Sequence, residues 1–428
     1  MNRTRHTSFR DYLPGPDHPR QKLLLNKPDC DAHEWGEIFK TDDFVGNWIK
    51  SWALLLDQPF KGITIDNNLV PRLYPLASEN QDHGAPTPNM VEAAEGVLQS
   101  ATEAERQALT YALVANEWRT WINPEIYVFK NGIRLEESSD GLFSAIHRLL
   151  EASLSPVGYK KAVNCMKINR FLGGLVNGQG VMNEKSYNFS LFGTPSLTAP
   201  WGWNLYGHHL CLNCLVAGTQ LVVSPVFMGA EPNIIDEGPE AGVVLFREQE
   251  DQARQLMQSL DSDLQSKVQL YDKLFDPSMP EGRYHRADQR TLGGAFQDNR
   301  VIPYEGLLVT DLPDGQQKVL KQIIYRTLDY LPTRVLDFRM SEIVSHWDET
   351  HIAWIGKFQD DDAFYYKIHS PVLLIEFDHH SGVFLTNKEP LPFHIHTIVR
   401  TPNGNDYGKE LVKQYLARQL TEKHNAMP

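Results

Sequence analysis

Apolar residues at helical spacing mark a first helical region in the N-terminal half of the chain. Thr87 stands before Pro88 and predicts a helix start. Thr102 and Glu105 have the spacing of a capping box, which predicts a second start. A sustained run follows in which apolar residues three and four positions apart share one helix face: Leu142, Ile146, Leu149 and Leu150.

Short apolar segments bounded by turns predict strands from about Trp201 onwards. Leu210–Leu212 and Leu221–Val223 flank Ala217-Gly218-Thr219, a glycine-containing segment typical of a hairpin turn. Helical spacing returns after residue 248, with apolar residues of 319–328 on one face. Phe364–Tyr366 and Val372–Ile375 then predict further strands, and the positions after Asp406 predict a closing helix.

The order helix, strand, helix, strand predicts an α+β fold. Two similar halves of helices plus antiparallel strands would form one large globular unit, residues 86–247 and 248–428. Leu191-Phe192-Gly193 resembles Trp354-Ile355-Gly356, and Trp201-Gly202-Trp203 falls on Phe364-Tyr365-Tyr366 at the same offset. Residues 1–85 show no sustained period, and we interpret them as a segment that wraps the surface or mediates contacts.

Composition excludes several classes of protein. The net charge of −13 and the lack of a Lys/Arg run argue against nucleic-acid binding. No stretch of about 18 apolar residues predicts a membrane span, so we expect no membrane partner. The four cysteines are too few for a disulfide framework, and no secretory signal begins the chain. We therefore expect a cytoplasmic protein; a homodimer is left open.

The first candidate site is the run from Trp201 to Asn213, which holds His208 and His209. If this run were one strand, His209, Cys211 and Asn213 would share a face and line a pocket. Alternatively, His209 and Asn213 belong to a buried hydrogen-bond network. Cys211 and Cys214 lack the second cysteine pair of a structural zinc site, and we expect core packing for them.

Two carboxylates and two histidines form the second and third candidates. Glu376 and Asp378 lie two apart after an apolar strand, and a buried carboxylate needs a partner such as a metal, a histidine or Arg400. His394 and His396 would project in parallel from a strand, about 7 Å apart. Neutral imidazole is a common ligand of zinc and similar metals. The alternative is a hydrogen-bonded histidine cluster without an ion.

These motifs resemble those of an uncharacterised family, domain of unknown function 3500. The resemblance rests on Trp-Gly-Trp-x-x-x-Gly-His-His-Leu at 201–210, on Ile-Glu-Phe-Asp at 375–378, and on His394-Ile395-His396 with Arg400. It covers most of the chain from about Pro86. It implies one shared site with the following members: His208, His209, Glu376, Asp378, His394, His396 and Arg400. The family label implies no activity.

The preferred hypothesis is a metal-dependent hydrolase acting on a small organic substrate. The histidines would bind a divalent transition metal, zinc or iron, which activates a water molecule. Glu376 and Asp378 would supply a base or a further ligand, and Arg400 would hold an oxyanion. Trp201, Trp203, Tyr206 and Asn213 would bind the substrate. The alternatives are an iron- or copper-dependent oxygenase or lyase and a non-catalytic small-molecule binding protein. No Gly-x-Gly-x-x-Gly, Walker or Gly-x-Ser-x-Gly sequence supports other cofactors or serine-hydrolase chemistry.

Overall fold

A mixed β-sheet of twelve strands runs through the residues that the computed structural model describes, 8–78 and 80–425. In chain order the strands are β1 (Thr110–Tyr111), β2 (Ile133–Arg134), β3 (Tyr187–Phe192), β4 (Trp201–Gly207), β5 (Leu210–Ala217), β6 (Gln220–Ala230), β7 (Gln269–Tyr271), β8 (Leu307–Leu308), β9 (His351–Gly356), β10 (Phe364–His369), β11 (Leu374–His379) and β12 (Ile395–Arg400).

Twelve α-helices accompany the sheet within the same described residues. They are α1 (Pro19–Asn26), α2 (Ala32–Lys40), α3 (Asp43–Leu56), α4 (Thr87–Ser100), α5 (Glu103–Leu109), α6 (Asp140–Ser153), α7 (Pro156–Leu175), α8 (Arg247–Ser259), α9 (Ser262–Val268), α10 (Asp314–Thr327), α11 (Thr333–Ser345) and α12 (Lys409–Asn425).

The strand order explains how distant histidines come together. The sheet runs β1-β3-β4-β5-β6-β12-β11-β10-β9-β7, while β2 pairs with β3 and β8 pairs with β9. Neighbours from β3 to β9 along this path are antiparallel, and the outer pairs β1/β3 and β7/β9 are parallel. The prediction of an α+β fold is confirmed. Because β6 pairs with both β5 and β12, only one strand separates the last strand from β5, which begins directly after the Gly-His-His segment.

Alternation along the strands gives the sheet one apolar and one polar face. Trp203, Leu205 and Phe377 lie on the apolar face, and helices pack there; Trp203 Nε1, for example, donates to Ser153 Oγ at the end of α6. Tyr206 and Asp378 belong to the opposite face, on which buried charged and polar side chains concentrate. The polar face is therefore the one on which chemistry is expected.

Local sequence signals predicted some boundaries of helices and strands correctly and others incorrectly. The Thr102–Glu105 capping box is present at the start of α5, and the predicted turn at 217–219 joins β5 to β6. Thr87 does not cap α4, because Pro86 occupies the N-cap and the Thr87 hydroxyl donates to the Gly218 carbonyl instead. β11 begins at Leu374, two residues later than the apolar run suggested.

The N-terminal segment contains three helices that the aperiodic sequence did not predict. In α2 and α3, Trp35, Phe39 and Val45 pack with Ile126 and Phe384 in a small hydrophobic cluster of their own. The described part of this segment is thus packed against the rest of the chain. Residues 1–7 and Glu79 lie outside the described residues, so the interpretation of 1–85 as one wrapping segment stays a prediction.

Candidate metal centre

The Gly-His-His segment forms a tight turn, not the middle of a strand. β4 ends at Gly207 and β5 begins at Leu210, so His208 and His209 are the two turn residues. His209 has a φ of +60°, in the left-handed region that disfavours a side chain with a Cβ. The expectation that His209, Cys211 and Asn213 share one strand face is therefore wrong, because the chain reverses between them.

His394 and His396 reach the same place from the start of β12. His394 lies just before the strand. Its ring and the His396 ring therefore do not project in parallel, as the sequence predicted they would. The Nε2 atoms of His394 and His396 are 3.1 Å apart, and His209 Nε2 lies 3.1 Å from His396 Nε2. All three ligand atoms fall within 4.8 Å of one another. The structure therefore brings these three predicted ligands together.

Gly229 on β6 makes room for the rings. It lies directly opposite His396, and its amide donates to the His209 carbonyl at 2.8 Å. A Cβ added here would stand 3.0 Å from His209 Cδ2 and 3.1 Å from His396 Cδ2. Convergence of the imidazoles therefore depends on a residue without a side chain at this position.

The hydrogen bonds of His394 fix which of its nitrogens can bind a metal. His394 Nδ1 donates to the Ser381 carbonyl at 2.7 Å, which leaves the Nε2 lone pair directed at the other two rings. The segment after Ser381 is held by Glu231, whose buried carboxylate accepts the amide hydrogens of Val383, Phe384 and Leu385. Glu231 thus positions the carbonyl that orients His394.

The three imidazoles do not satisfy one another by hydrogen bonding alone. His396 Nε2 lies 3.1 Å from two other Nε2 atoms, but a neutral ring carries one N–H and can donate it to only one of them. Zn–N bonds of 2.0–2.1 Å in a tetrahedral site place ligand nitrogens about 3.3 Å apart. Two of the three separations, at 3.1 Å, are close to that value and the third is within 4.8 Å, so the three side chains are compatible with a metal ion.

Burial keeps these rings neutral and ready to coordinate. It lowers the pKa of His209 and His396 well below the ordinary value of 6.5, and neighbouring histidines lower both further. For His394, burial dominates over the nearby Glu231 carboxylate and lowers the pKa to about 4. Neutral imidazole is the form that binds metal, so at neutral pH no proton competes with an ion here.

His208 lies beside the cluster but has a different role. Its ring stacks on His209 with centroids 3.9 Å apart, while its Nδ1 donates to Asn169 Oδ1 at 2.8 Å. The three converging nitrogens are those of His209, His394 and His396, without His208. The structure therefore separates the predicted metal ligand His208 from the other three.

Asp378 contacts a histidine that the sequence did not single out. His380 Nε2 lies 3.0 Å from Asp378 Oδ2, and the His380 ring packs on His396 with centroids 3.8 Å apart. Burial would raise the pKa of Asp378, but the adjacent Arg290 guanidinium outweighs this and holds the pKa below its ordinary value. The Asp378 carboxylate thus contacts the histidine cluster indirectly, through the His380 ring that packs on His396.

The histidines open onto a cleft of about 950 Å³. This volume is within the usual range of small-molecule sites. His208, His209, His380, His394 and His396 form its histidine-rich part. The N-terminal helices and their connections contribute another part of the lining: Pro19, Arg20, Leu23, Ile38, Phe39, Thr41, Asp42, Asp43, Phe44, Val45 and Trp48.

Glu376 is not among the cleft residues, which corrects its expected position at the ion. Its carboxylate accepts the amide hydrogens of Leu292 and Gly293 at 2.7–3.0 Å and the Tyr365 hydroxyl at 2.6 Å. These donors satisfy a carboxylate that is almost fully buried. Glu376 therefore anchors the loop around residue 292.

Arg400 also lies away from the cleft, in a buried ionic network. Its guanidinium donates to the carbonyls of Gly293 and Gly294 and to the carboxylates of Asp298 and Asp406. Arg400 is 0% exposed, so its donors do not reach a bound substrate. We expected Arg400 to bind an oxyanion of the substrate. That expectation is wrong, because these buried partners already use its donors.

The four residues expected to bind substrate are likewise outside the cleft lining. Trp201 and Trp203 lie on the apolar face, because the alternation of β4 directs them towards the helices. The Tyr206 hydroxyl donates to the Phe129 carbonyl, and Asn213 Nδ2 donates to the Pro225 carbonyl. All four are buried and stabilise the sheet and its covering loops.

Several site residues carried little signal in the sequence. Glu231 and Gly229 stand in an apolar strand and its end, and their roles depend on strand pairing. Asn123 contributes the carbonyl that accepts the His209 amide hydrogen at 3.0 Å, although it lies far away in the sequence. His380 was readable only as a neighbour of Asp378, in the run Asp378-His379-His380.

The chain belongs to the family described as Protein of unknown function (DUF3500), which matches residues 83–409. This match includes all three converging histidines and excludes α1, α2 and α3. Neither a curated protein nor a solved structure matches the chain. Among the described residues, no helix is long and apolar enough to cross a membrane.

Proposed function

We propose that the protein is a metal-dependent hydrolase that acts on a small organic substrate in the histidine-lined cleft. The observation that carries this proposal is the convergence of three neutral imidazole nitrogens, from His209, His394 and His396, in the lining of a large cleft. Three protein ligands plus one open position is the usual arrangement of catalytic zinc, whereas structural zinc is closed by four. An ion held there would supply an activated water at neutral pH.

The composition of the ligand set favours zinc over iron. Among the described residues, the converging group consists of histidines only. The nearest carboxylates are otherwise engaged, since Glu231 accepts backbone amides and Asp378 binds Arg290. Non-haem iron oxygenases typically use two histidines and one carboxylate. The hydrolase is therefore preferred to the oxygenase or lyase.

Some residues of the site would bind the ion, and others would position those ligands. His209, His394 and His396 would hold the ion, while Glu231 and Ser381 orient His394. Asp378 would act through His380 as a positioning residue. The proposal gives Glu376 and Arg400 a part in loop stability and none in the reaction.

The direct test is to measure the metal content of purified protein that has not been exposed to a chelator. We expect close to one zinc per chain by elemental mass spectrometry, and a large loss in each of His209→Ala, His394→Ala and His396→Ala. His147→Ala is a matched control, because His147 lies on α6 and binds Tyr159 away from the cleft. A metal content far below one per chain in the wild type, or retention of the ion in all three variants, would refute the metal proposal.

Hydrolysis is tested separately with zinc-loaded protein and a panel of chromogenic esters, amides and phosphoesters. Turnover that disappears with a chelator, returns with zinc and is absent from His396→Ala is the expected result. If zinc-loaded protein cleaves none of the three classes, the proposal of a metal centre is unaffected and the proposal of a hydrolase is contradicted.

We further propose that residues 86–247 and 248–428 arose by internal duplication. In each part a short strand pairs in parallel with the first of four antiparallel strands (β1 with β3, β7 with β9), and a second short strand pairs antiparallel to it (β2, β8). Gly193 directly follows β3 and Gly356 is the last residue of β9, and both have positive φ. Superposition of the two parts in an experimental structure should align β3–β6 with β9–β12; failure of β5 and β11 to align would refute the duplication.

A further inference from the structure

One part of the cleft lining is flat and apolar and comes from α3. The rings of Phe44 and Trp48 lie nearly parallel, with centroids 6.4 Å apart, and both are partly exposed. Trp48 in turn packs on buried Trp52, 4.4 Å away, so its position is fixed. Partly exposed aromatic rings that line a pocket offer a surface for an apolar or aromatic group.

A positive charge is held at the same place. The Arg286 guanidinium lies 4.4 Å from the centroid of the Phe44 ring, a cation–π contact that limits its movement. Among the described residues Arg286 has no acidic partner. The other cleft arginine, Arg20, is already paired with buried Glu125. Two acids stand at the start of α3: Asp42 accepts the amide hydrogens of Phe44 and Val45 as the helix cap, and the exposed Asp43 also lines the cleft.

A largely buried polar side chain, that of Asn123, also lines the cleft. Asn123 lines the cleft, is 8% exposed, and its side-chain amide has no hydrogen-bond partner among the described residues. Its backbone carbonyl accepts the His209 amide hydrogen, so the residue is fixed beside the histidines. The little exposure that Asn123 has is therefore available in the cleft, where its side-chain amide can hydrogen-bond to a bound carbonyl or hydroxyl group.

We propose that the cleft takes an organic carboxylate with a flat apolar body and a carbonyl group. The apolar body lies against Phe44 and Trp48, the carboxylate binds Arg286, and Asn123 donates to the carbonyl oxygen near the histidines. This substrate class rests on the proposed function, since the carbonyl is the group that a hydrolase at these histidines would attack.

The proposal also assigns substrate selection to the N-terminal segment. Phe44 and Trp48 precede residue 83, where the family match begins, whereas the three converging histidines lie inside it. The reactive centre and the apolar surface thus come from different parts of the chain. Relatives with another N-terminal segment would keep the ion and take other substrates.

N-acetyl-phenylalanine is a suitable probe, because it carries an aromatic ring, a carbonyl and a carboxylate. Its carboxamide is the uncharged counterpart. Titration calorimetry on the full chain, after removal of metal with a chelator, should show roughly tenfold tighter binding of the carboxylate. Arg286→Gln should abolish that preference, while Arg148→Gln, at an exposed arginine on α6, should keep it. Trp48→Ala and Asn123→Ala should each weaken the binding of both probes.

The use of metal-free protein separates this inference from the metal proposal. Tighter binding of the carboxylate without metal, lost in Arg286→Gln, supports the substrate class even if the wild type proves to contain no ion. Equal binding of both probes, no binding of either, or a preference that survives Arg286→Gln would overturn it. A preference seen only after zinc is restored would also overturn it, because the carboxylate would then bind the ion. Unchanged melting temperatures serve to show that each variant is folded.

Discussion

Gly229→Ala is the sharpest test of the geometry around the histidines. The added methyl group would stand 2.9 Å from the Ile395 carbonyl oxygen and 3.0–3.1 Å from Cδ2 of His209 and His396. Contacts between carbon atoms are normally 3.5–4.0 Å, so each ring must retreat by about 0.5 Å. Gly229 does not have a positive φ, and alanine is therefore acceptable to the backbone.

The expected effect on the metal centre exceeds the effect on the fold. Overpacking of this kind costs about 1–3 kcal/mol in stability. A functional constellation tolerates displacements of only about 0.5 Å, and changes next to metal ligands typically lower affinity about 10–100-fold. We therefore expect Gly229→Ala to remain folded and to lose zinc affinity by one to two orders of magnitude.

Competition with a chromophoric chelator measures this affinity, and thermal melting of the metal-free protein measures stability. Gly174→Ala is the matched control, since a Cβ at Gly174 on α7 meets no atom within 4 Å. It should leave zinc affinity unchanged. If Gly229→Ala binds zinc as tightly as the wild type, the rings of His209 and His396 do not hold the ion in this arrangement.

Three further predictions concern buried carboxylates. Glu231→Gln should lower both stability and zinc affinity, because the neutral side chain lacks the negative charge that faces the amide hydrogens of Val383, Phe384 and Leu385 and replaces the second acceptor oxygen by a donor; denaturant unfolding and chelator competition measure the two effects. Glu376→Gln should lower the melting temperature and leave zinc affinity unchanged; loss of zinc with unchanged melting would contradict its anchoring role. For Asp298, burial would raise the pKa, but Arg400 and Arg119 hold it below the ordinary value of 3.8. Its charge therefore stabilises the fold above that value and ceases to do so as the pH falls through the lowered pKa. The stability difference between wild type and Asp298→Asn should accordingly stay constant near neutral pH and shrink as the pH falls below 3.8 in urea unfolding, and a difference that does not shrink there would refute this.

Sequence reasoning found the three histidines that converge in the structure but not their surroundings. Residue type and clustering identified His209, His394 and His396, because few roles other than metal or proton chemistry collect histidines. The same reasoning placed Trp201 and Trp203 in the pocket, since a strand and a turn are hard to distinguish in a run of apolar and polar residues. Once Gly207-His208-His209 forms a turn, strand alternation directs both tryptophans to the opposite face of the sheet.

The misassigned charges show a second limit of the sequence. Glu376 and Arg400 were correctly expected to need partners, as buried charges do. Their partners are backbone groups of 292–294 and the carboxylates of Asp298 and Asp406. Such partners are set by where a loop packs on the sheet, and no local pattern reports that. A buried carboxylate in a strand therefore predicts a satisfied network more reliably than a catalytic base.

The conformation of His209 is the feature that a purely structural role explains least. A left-handed residue with a Cβ costs about 1–2 kcal/mol, and glycine or asparagine would fill this turn position at lower cost. The chain instead holds His209 in place with two backbone hydrogen bonds, from its amide to Asn123 and from the Gly229 amide to its carbonyl. Gly229 lacks the side chain that would displace the ring. Strain that neighbouring residues maintain at one side chain, directed at two other imidazoles, is characteristic of functional sites. The fold therefore accepts a less stable turn in order to complete a three-histidine centre.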